Sequence, residues 1–306
     1  MKKIILLLVT VIGLVGCNQE KKAGKKNDLQ EANLKGKVKS VRGTSYDAVE
    51  KFGEIQKGEI KSVINSYIYN EQGNKIEYSY NYGSLAEKQT YKYDANGNLI
   101  EENKYNFDGS LGEKRTYKYD ADGNLMEENW YNSDGGLREK STYKYDVDGN
   151  QIEGNWYKSD GSLNSKWTYK YDANRNRIKE NWYKSDGSLI GKWTNNYDAN
   201  GNLTERSGGN SVGSLNIKLT YKYDTNGNRI EENRYNLNGS LAEKLTYKYD
   251  ANGNQIEKNE HNPDRGLIIK WAYKYEYDKY GNWVKRIAYA IDKPESITER
   301  EIEYYE

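Results

Sequence analysis

Cysteine and histidine each occur once in the 306 residues, as Cys17 and His261. A single cysteine excludes an internal disulfide. A single histidine, in a column otherwise mostly tyrosine, reads as a surface substitution and leaves no convergent acid, base and nucleophile for an enzyme. Neither sign of charge prevails, with 47 Lys and Arg against 46 Asp and Glu, so nothing favours nucleic acid as a partner. Only two prolines and a mean hydropathy of −1.12 would suit a disordered chain. The 31 tyrosines and 7 tryptophans do not, because aromatic residues on that scale supply a surface to bury.

One long apolar run is present. Met1-Lys2-Lys3 is followed by apolar residues 4–15 and then Gly16-Cys17, a basic start and a short hydrophobic stretch of the secretory-signal kind. Leu14-Val15-Gly16-Cys17 resembles the lipobox of bacterial lipoproteins. That resemblance implies cleavage after residue 16, lipid on Cys17 and a membrane partner through that lipid. Asn18 in place of Asp implies sorting to the outer membrane. Residues 17–34 are polar and aperiodic and are expected to form a flexible tether.

From Thr90 onward one pattern returns every 26 residues: Thr-Tyr-Lys-Tyr-Asp-x-Asn-Gly-Asn, a mixed stretch, then Asp-Gly-Ser-Leu. A fixed period of this size marks a repeat architecture. In one unit Leu111, Glu113, Arg115, Tyr117 and Tyr119 alternate with Gly112, Lys114, Thr116 and Lys118, the period of a half-buried strand. Asp120-Ala-Asp122-Gly123-Asn124 and Ser133-Asp134-Gly135 carry turn chemistry. Asp120-Ala-Asp122 and Asp146-Val-Asp148 also suit calcium loops, but turn chemistry accounts for them, and no metal or cofactor is expected.

Each repeat therefore supplies two antiparallel strands. The leucine column (Leu85 to Leu267), the isoleucine column (Ile76 to Val284) and the tyrosine pairs are expected to form the core. The fold class is all-β: a repetitive antiparallel meander of about sixteen to eighteen strands, curled into an open shell or spiral. An extended single-layer sheet is the alternative. Residues 35–64 and 287–306 are expected to be β caps on a repeat region at 65–286. Repeat 194–219 is expected to be a weak seam, with Asn195 for tyrosine, Thr204 in the isoleucine column and Gly208-Gly209 inside a strand.

The core Tyr91-Lys-Tyr93-Asp94-Ala-Asn-Gly97-Asn98-Leu99 and its copies resemble the YD, or RHS, repeat. The resemblance implies hairpins wound into a hollow β-shell, in large members often around a toxin, with carbohydrate binding in some. Trp130, Trp156 and Trp182 share a column, followed by Tyr131, Tyr157 and Tyr183, and Trp167 and Trp193 stand in neighbouring strands. These eight aromatics are the candidate binding surface for a glycan or an envelope or extracellular protein. Three functions follow: a non-enzymatic cell-envelope lipoprotein scaffold, a purely structural envelope repeat protein, or an accessory of an RHS-type toxin system.

Overall fold

The computed structural model describes residues 26–82, 85–211 and 216–306. The signal (1–16), Cys17 and the tether as far as residue 25 lie outside the described residues. After a short helix, α1 (Asp28–Glu31), come β1 (Val38–Lys51), β2 (Glu54–Tyr69), β3 (Lys75–Tyr82), β4 (Leu85–Tyr93) and β5 (Leu99–Tyr105). They are followed by β6 (Leu111–Tyr119), β7 (Leu125–Asn132), β8 (Leu137–Tyr145), β9 (Gln151–Lys158) and β10 (Leu163–Tyr171). Next are β11 (Arg177–Lys184), β12 (Leu189–Tyr197), β13 (Leu203–Asn210), β14 (Asn216–Tyr223) and β15 (Arg229–Tyr235). The last are β16 (Leu241–Tyr249), β17 (Gln255–Asn262), β18 (Gly266–Tyr277), β19 (Trp283–Ala290) and β20 (Lys293–Tyr304).

Every strand pairs antiparallel with its neighbours in sequence, and β20 pairs back onto β1, Val41 opposite Ile302 and Ser45 opposite Thr298. The expected open shell is thus a closed barrel of 20 strands. Closure comes from β1, β2 and β20, which lie largely outside the periodic region. It removes both free sheet edges that an open spiral would leave. At about 4.8 Å per strand the ring is about 95 Å around and, if round, about 30 Å across, too wide for the wall's side chains alone to fill.

Two kinds of turn alternate around the ring and define its two ends. At the Asp end, Asp120 Oδ1 accepts from the backbone N–H of Asp122 (3.0 Å) and Asn124 (2.8 Å), and Oδ2 accepts from the Asn124 amide (2.9 Å). Gly123, at φ +83°, takes the left-handed position. At the Ser end the turns run through Asp-Gly-Ser, as in Asp160 Oδ1 accepting from Ser162 N–H at 2.8 Å. Arg175 occupies the left-handed slot of its Asp turn at φ 67°, where a Cβ costs about 1–2 kcal/mol. Its exposed ion pair with Asp148 (3.1 Å) returns little of that. Arg175→Gly is therefore expected to stabilise the barrel by about 1 kcal/mol, read as a raised urea midpoint at unchanged slope.

Most repeats hold two β-bulges, though the β3–β4 and β13–β14 pairings run without a register shift, and the bulges change which residues face inward. Glu113 lies opposite Lys104 but Leu111 lies opposite Tyr105, so Gly112 has no partner. Lys118 lies opposite Glu127 but Tyr119 lies opposite Leu125, leaving Met126 unmatched. An unmatched residue resets the alternation of faces. Leu111 thus joins Tyr105 on the outer face, while Arg115 and Tyr117 face the lumen, which corrects the expected single face from 111 to 119. The isoleucine column falls on the other bulge, and Ile100, Met126, Ile152 and Ile178 stand 37–39% exposed, not in a core. The outer face is identified by Lys92, Lys118, Lys144, Lys222 and Lys248, whose side chains are 65–69% exposed.

A buried apolar cluster closes the Asp end. Residues 27–34, assigned from sequence to the tether, instead lie over that end together with Lys35. Asn27 and Gln30 form a capping box, and Leu29 packs with Val38, Val41 and Tyr69. The Asn27 amide donates to Gln72 O (2.7 Å) and Leu29 N–H to Gly73 O (3.0 Å) on one side of the ring. Asn33 donates to Asn252 O (3.2 Å), and Lys35 exchanges two 2.8 Å hydrogen bonds with the Asn282 side chain on the other.

Repeat 194–219 remains in register on both sides, with Thr194 opposite Ser207 and Ser207 opposite Lys218. Asn195 is buried and donates to Arg177 O at 2.7 Å. The missing side chains of β13 leave a recess of about 300 Å³ on the outer face, lined by Leu189, Lys192, Thr194, Ser207 and Gly209 among others.

Candidate binding surfaces

The inner wall is a lattice of tyrosine, tryptophan, arginine and glutamate. Burial raises the hydroxyls of Tyr117, Tyr143 and Tyr169 well above the ordinary tyrosine range and that of Tyr69 to about 12. Tyr117 donates to Glu102 at 3.0 Å and Tyr143 to Glu128 at 3.1 Å. The second tyrosine of each repeat holds the bulge of the previous one: Tyr119 donates to Leu99 O and Tyr145 to Leu125 O, both at 2.8 Å. Arginines lie over the rings, Arg115 at 3.7 Å from the Trp130 centroid and Arg300 at 3.4 Å from Trp283. Burial, with Arg286 nearby, lowers Arg300 to about 10.

The eight candidate aromatics divide between the two faces. Trp130, Trp156 and Trp182 point inward near the Ser end. Trp130 donates to Glu128 at 2.5 Å and Trp156 to Glu139 at 3.1 Å. Trp167 faces Trp182 across β10 and β11, and Trp193 faces Glu180 and Gly208. Tyr131, Tyr157 and Tyr183 point outward, each opposite a leucine of the next strand: Leu137, Leu163 and Leu189. Five tryptophans therefore gather on one inner sector, from β7 to β12, where Trp182 is 45% exposed. Trp167 lies over Gly154, a position where only a glycine leaves room for the ring.

The outer face carries an ion-pair ladder that sequence alternation suggested only as a wet side. Glu101 is held by Lys92 (2.6 Å) and Lys114 (2.8 Å), Glu127 by Lys118 (2.8 Å) and Lys140 (2.5 Å), and Glu153 by Lys144 (2.9 Å) and Lys166 (2.5 Å). An asparagine on the same strand completes each site, as Asn129 does toward Glu127 at 2.8 Å. The lysine and asparagine donors hold Glu101 and Glu127 at about 2.

A closed antiparallel barrel of hairpin repeats, with a tyrosine-lined lumen and Asp-turn corners, defines a repeat shell. The model of the Teneurin YD-shell family matches residues 100–274, and the chain belongs to that family. Comparison with curated proteins finds no match. Among solved structures it is similar to a porin-like protein from Bacteroides uniformis, at 12% identity over 87% of this chain and 96% of that one, with a TM-score of 0.37. It is also similar to the TcdB2-TccC3-Cdc42 complex, at 14% identity over 87% of this chain and 17% of that one, TM-score 0.33. The Photorhabdus luminescens Tc holotoxin pore matches at 11% identity over 78% of this chain and 19% of that one, TM-score 0.24.

Proposed function

We propose that this YD-shell chain is a non-enzymatic lipoprotein scaffold of the bacterial cell envelope. On this reading it is anchored through lipid on Cys17 and binds a glycan or an envelope protein at the tryptophan-lined end of the barrel. The observation that carries the reading is the opposition of two ends. The chain enters across the Asp end through α1 and residues 33–35, so the tether draws that end toward the membrane. The sector of Trp130, Trp156, Trp167, Trp182 and Trp193 lies toward the other end. A lipid-embedded barrel would need an apolar outer band, whereas here the outer wall carries the lysine–glutamate ladder.

The test is a glycan array and a crosslinking pull-down with the full chain and a Trp156→Ala, Trp182→Ala variant. The expected result is a bound class whose affinity falls at least about tenfold in the variant, from two lost ring contacts. Equal binding by both proteins, or none by either, would discard the binding role. Fatty-acid labelling that marks Cys17→Ser as strongly as wild type would discard the anchor.

A further inference from the structure

Between β3 and β17 the outer ladder loses its glutamate at one place. Where Glu101, Glu127, Glu153 and Glu231 stand in other repeats, β11 has Lys179. The two lysines that elsewhere clasp the glutamate are still there. Lys170 is directly opposite Lys179 on β10, and Lys192 is one diagonal step away on β12, as Lys118 and Lys140 are to Glu127. The asparagine is kept as well: Asn181 lies opposite Lys192. Among the described residues none of the side chains of Lys170, Lys179, Lys192 and Asn181 has an ion pair or hydrogen bond, and the nearest ladder carboxylates, Glu153 and Glu205, are taken by Lys166 (2.5 Å) and Lys218 (2.8 Å). Like charges directly opposite one another repel, so the arrangement costs the barrel stability.

Beside this cluster lies the recess of about 300 Å³ in which Gly209 replaces the outward tyrosine of other repeats. Lys192 reaches it from one side, the hydroxyls of Thr194 and Ser207 (3.0 Å apart) form its polar wall, and Leu189 its apolar one. That volume lies at the lower end of the range for small-ligand sites and suits one sugar ring.

We infer that the Lys170–Lys179–Lys192 cluster and the adjoining recess form a binding site for an acidic glycan. Its carboxylate takes the place of the missing ladder glutamate, and its ring occupies the space of the missing tyrosine. The donor set, two lysines and an amide already spaced for a carboxylate, matches a uronate more closely than a diffuse polyanion. The site is on the opposite face of the wall from the tryptophan sector and does not depend on the role proposed for it.

The test titrates the full chain with oligogalacturonate, with a neutral maltooligosaccharide of equal length and with phosphatidylglycerol vesicles. Oligogalacturonate is expected to bind, and the neutral sugar is not. Lys179→Glu restores the ladder of the other repeats and should fold at least as well as wild type while weakening the uronate at least about tenfold. Lys192→Ala should weaken it similarly, and Lys248→Ala, in an intact rung, should leave it unchanged. Uronate binding that survives Lys179→Glu, or no binding by the wild type, overturns the proposal. Vesicle binding that is lost in Lys179→Glu while the uronate fails to bind assigns the cluster to lipid headgroups and overturns the glycan assignment.

Discussion

Gly154→Val is expected to destabilise the barrel by about 3 kcal/mol or more, at the upper end of overpacking costs. A Cβ at position 154 would sit 2.2 Å from Cε2 and Nε1 of Trp167, which covers the glycine from β10. Along the wall the ring is flanked on both sides, so relief requires swinging it into the lumen. Trp182 stands opposite it on β11, and Tyr143 lies 6.4 Å away between centroids. The indole must leave its place, and the neighbouring aromatics lose its contacts. Gly109→Asn is the matched control: its φ is +81°, nothing lies within 4 Å of its Cβ, and asparagine tolerates the left-handed region. Urea unfolding should separate the two variants clearly, with Gly109→Asn within about 1 kcal/mol of wild type. Equal midpoints for Gly154→Val and wild type would mean that Trp167 does not cover Gly154.

Stability is also expected to fall steeply between about pH 4.5 and pH 2. Lys114, Lys92 and Asn103 hold Glu101 at about 2, and Lys118, Lys140 and Asn129 do the same for Glu127. Glu153 reaches about 2 against an opposing burial effect, through Lys166, Lys144 and Asn155, and Glu231 does so chiefly through Lys244. A carboxyl whose folded value lies below its unfolded one stabilises the fold fully above the unfolded value. That contribution is lost as the pH drops through the folded value. Four such sites act in the same direction, each of order 1 kcal/mol after solvent screening. Melting followed from pH 5 to pH 2 should show the fall, and Glu127→Gln together with Glu231→Gln should make it shallower. A flat profile over that range would mean that the ladder contributes nothing to stability.

The meander was legible because each unit repeats two turn chemistries at a fixed distance, and Asp120 and Gly123 act as their sequence requires. The bulges were not. Their unmatched position holds Gly112, Arg138, Asn164, Ile190 and Ala242 in five of the units, residues with nothing in common, so alternation from Leu111 to Tyr119 looks unbroken. The side chains of Leu111 and Tyr117 consequently end on opposite faces. The division of the aromatic set could have been read directly, since Trp130 and Tyr131 are consecutive in one strand and must diverge. Helix α1 also had a signal, the capping pair Asn27 and Gln30, hidden in a charged stretch. Closure had none in the period, because β1 and β20 meet through residues that do not repeat.

The pairing of Ser40 with Glu303 joins residues from opposite ends of the described chain, whereas nearly every other pairing joins strands adjacent in sequence. Synthesis and folding can therefore proceed hairpin by hairpin, each closing a short loop. A single late event, the arrival of β20 at β1, then turns a ribbon into a ring. Until that event two strands, β1 and the most recently formed one, present unpaired amides and carbonyls to every other nascent copy. Topology therefore puts the pairing with the largest sequence separation, and the largest loop to close, at that one junction. A chain interrupted before β20 would be left as an open template for aggregation, not as a smaller barrel.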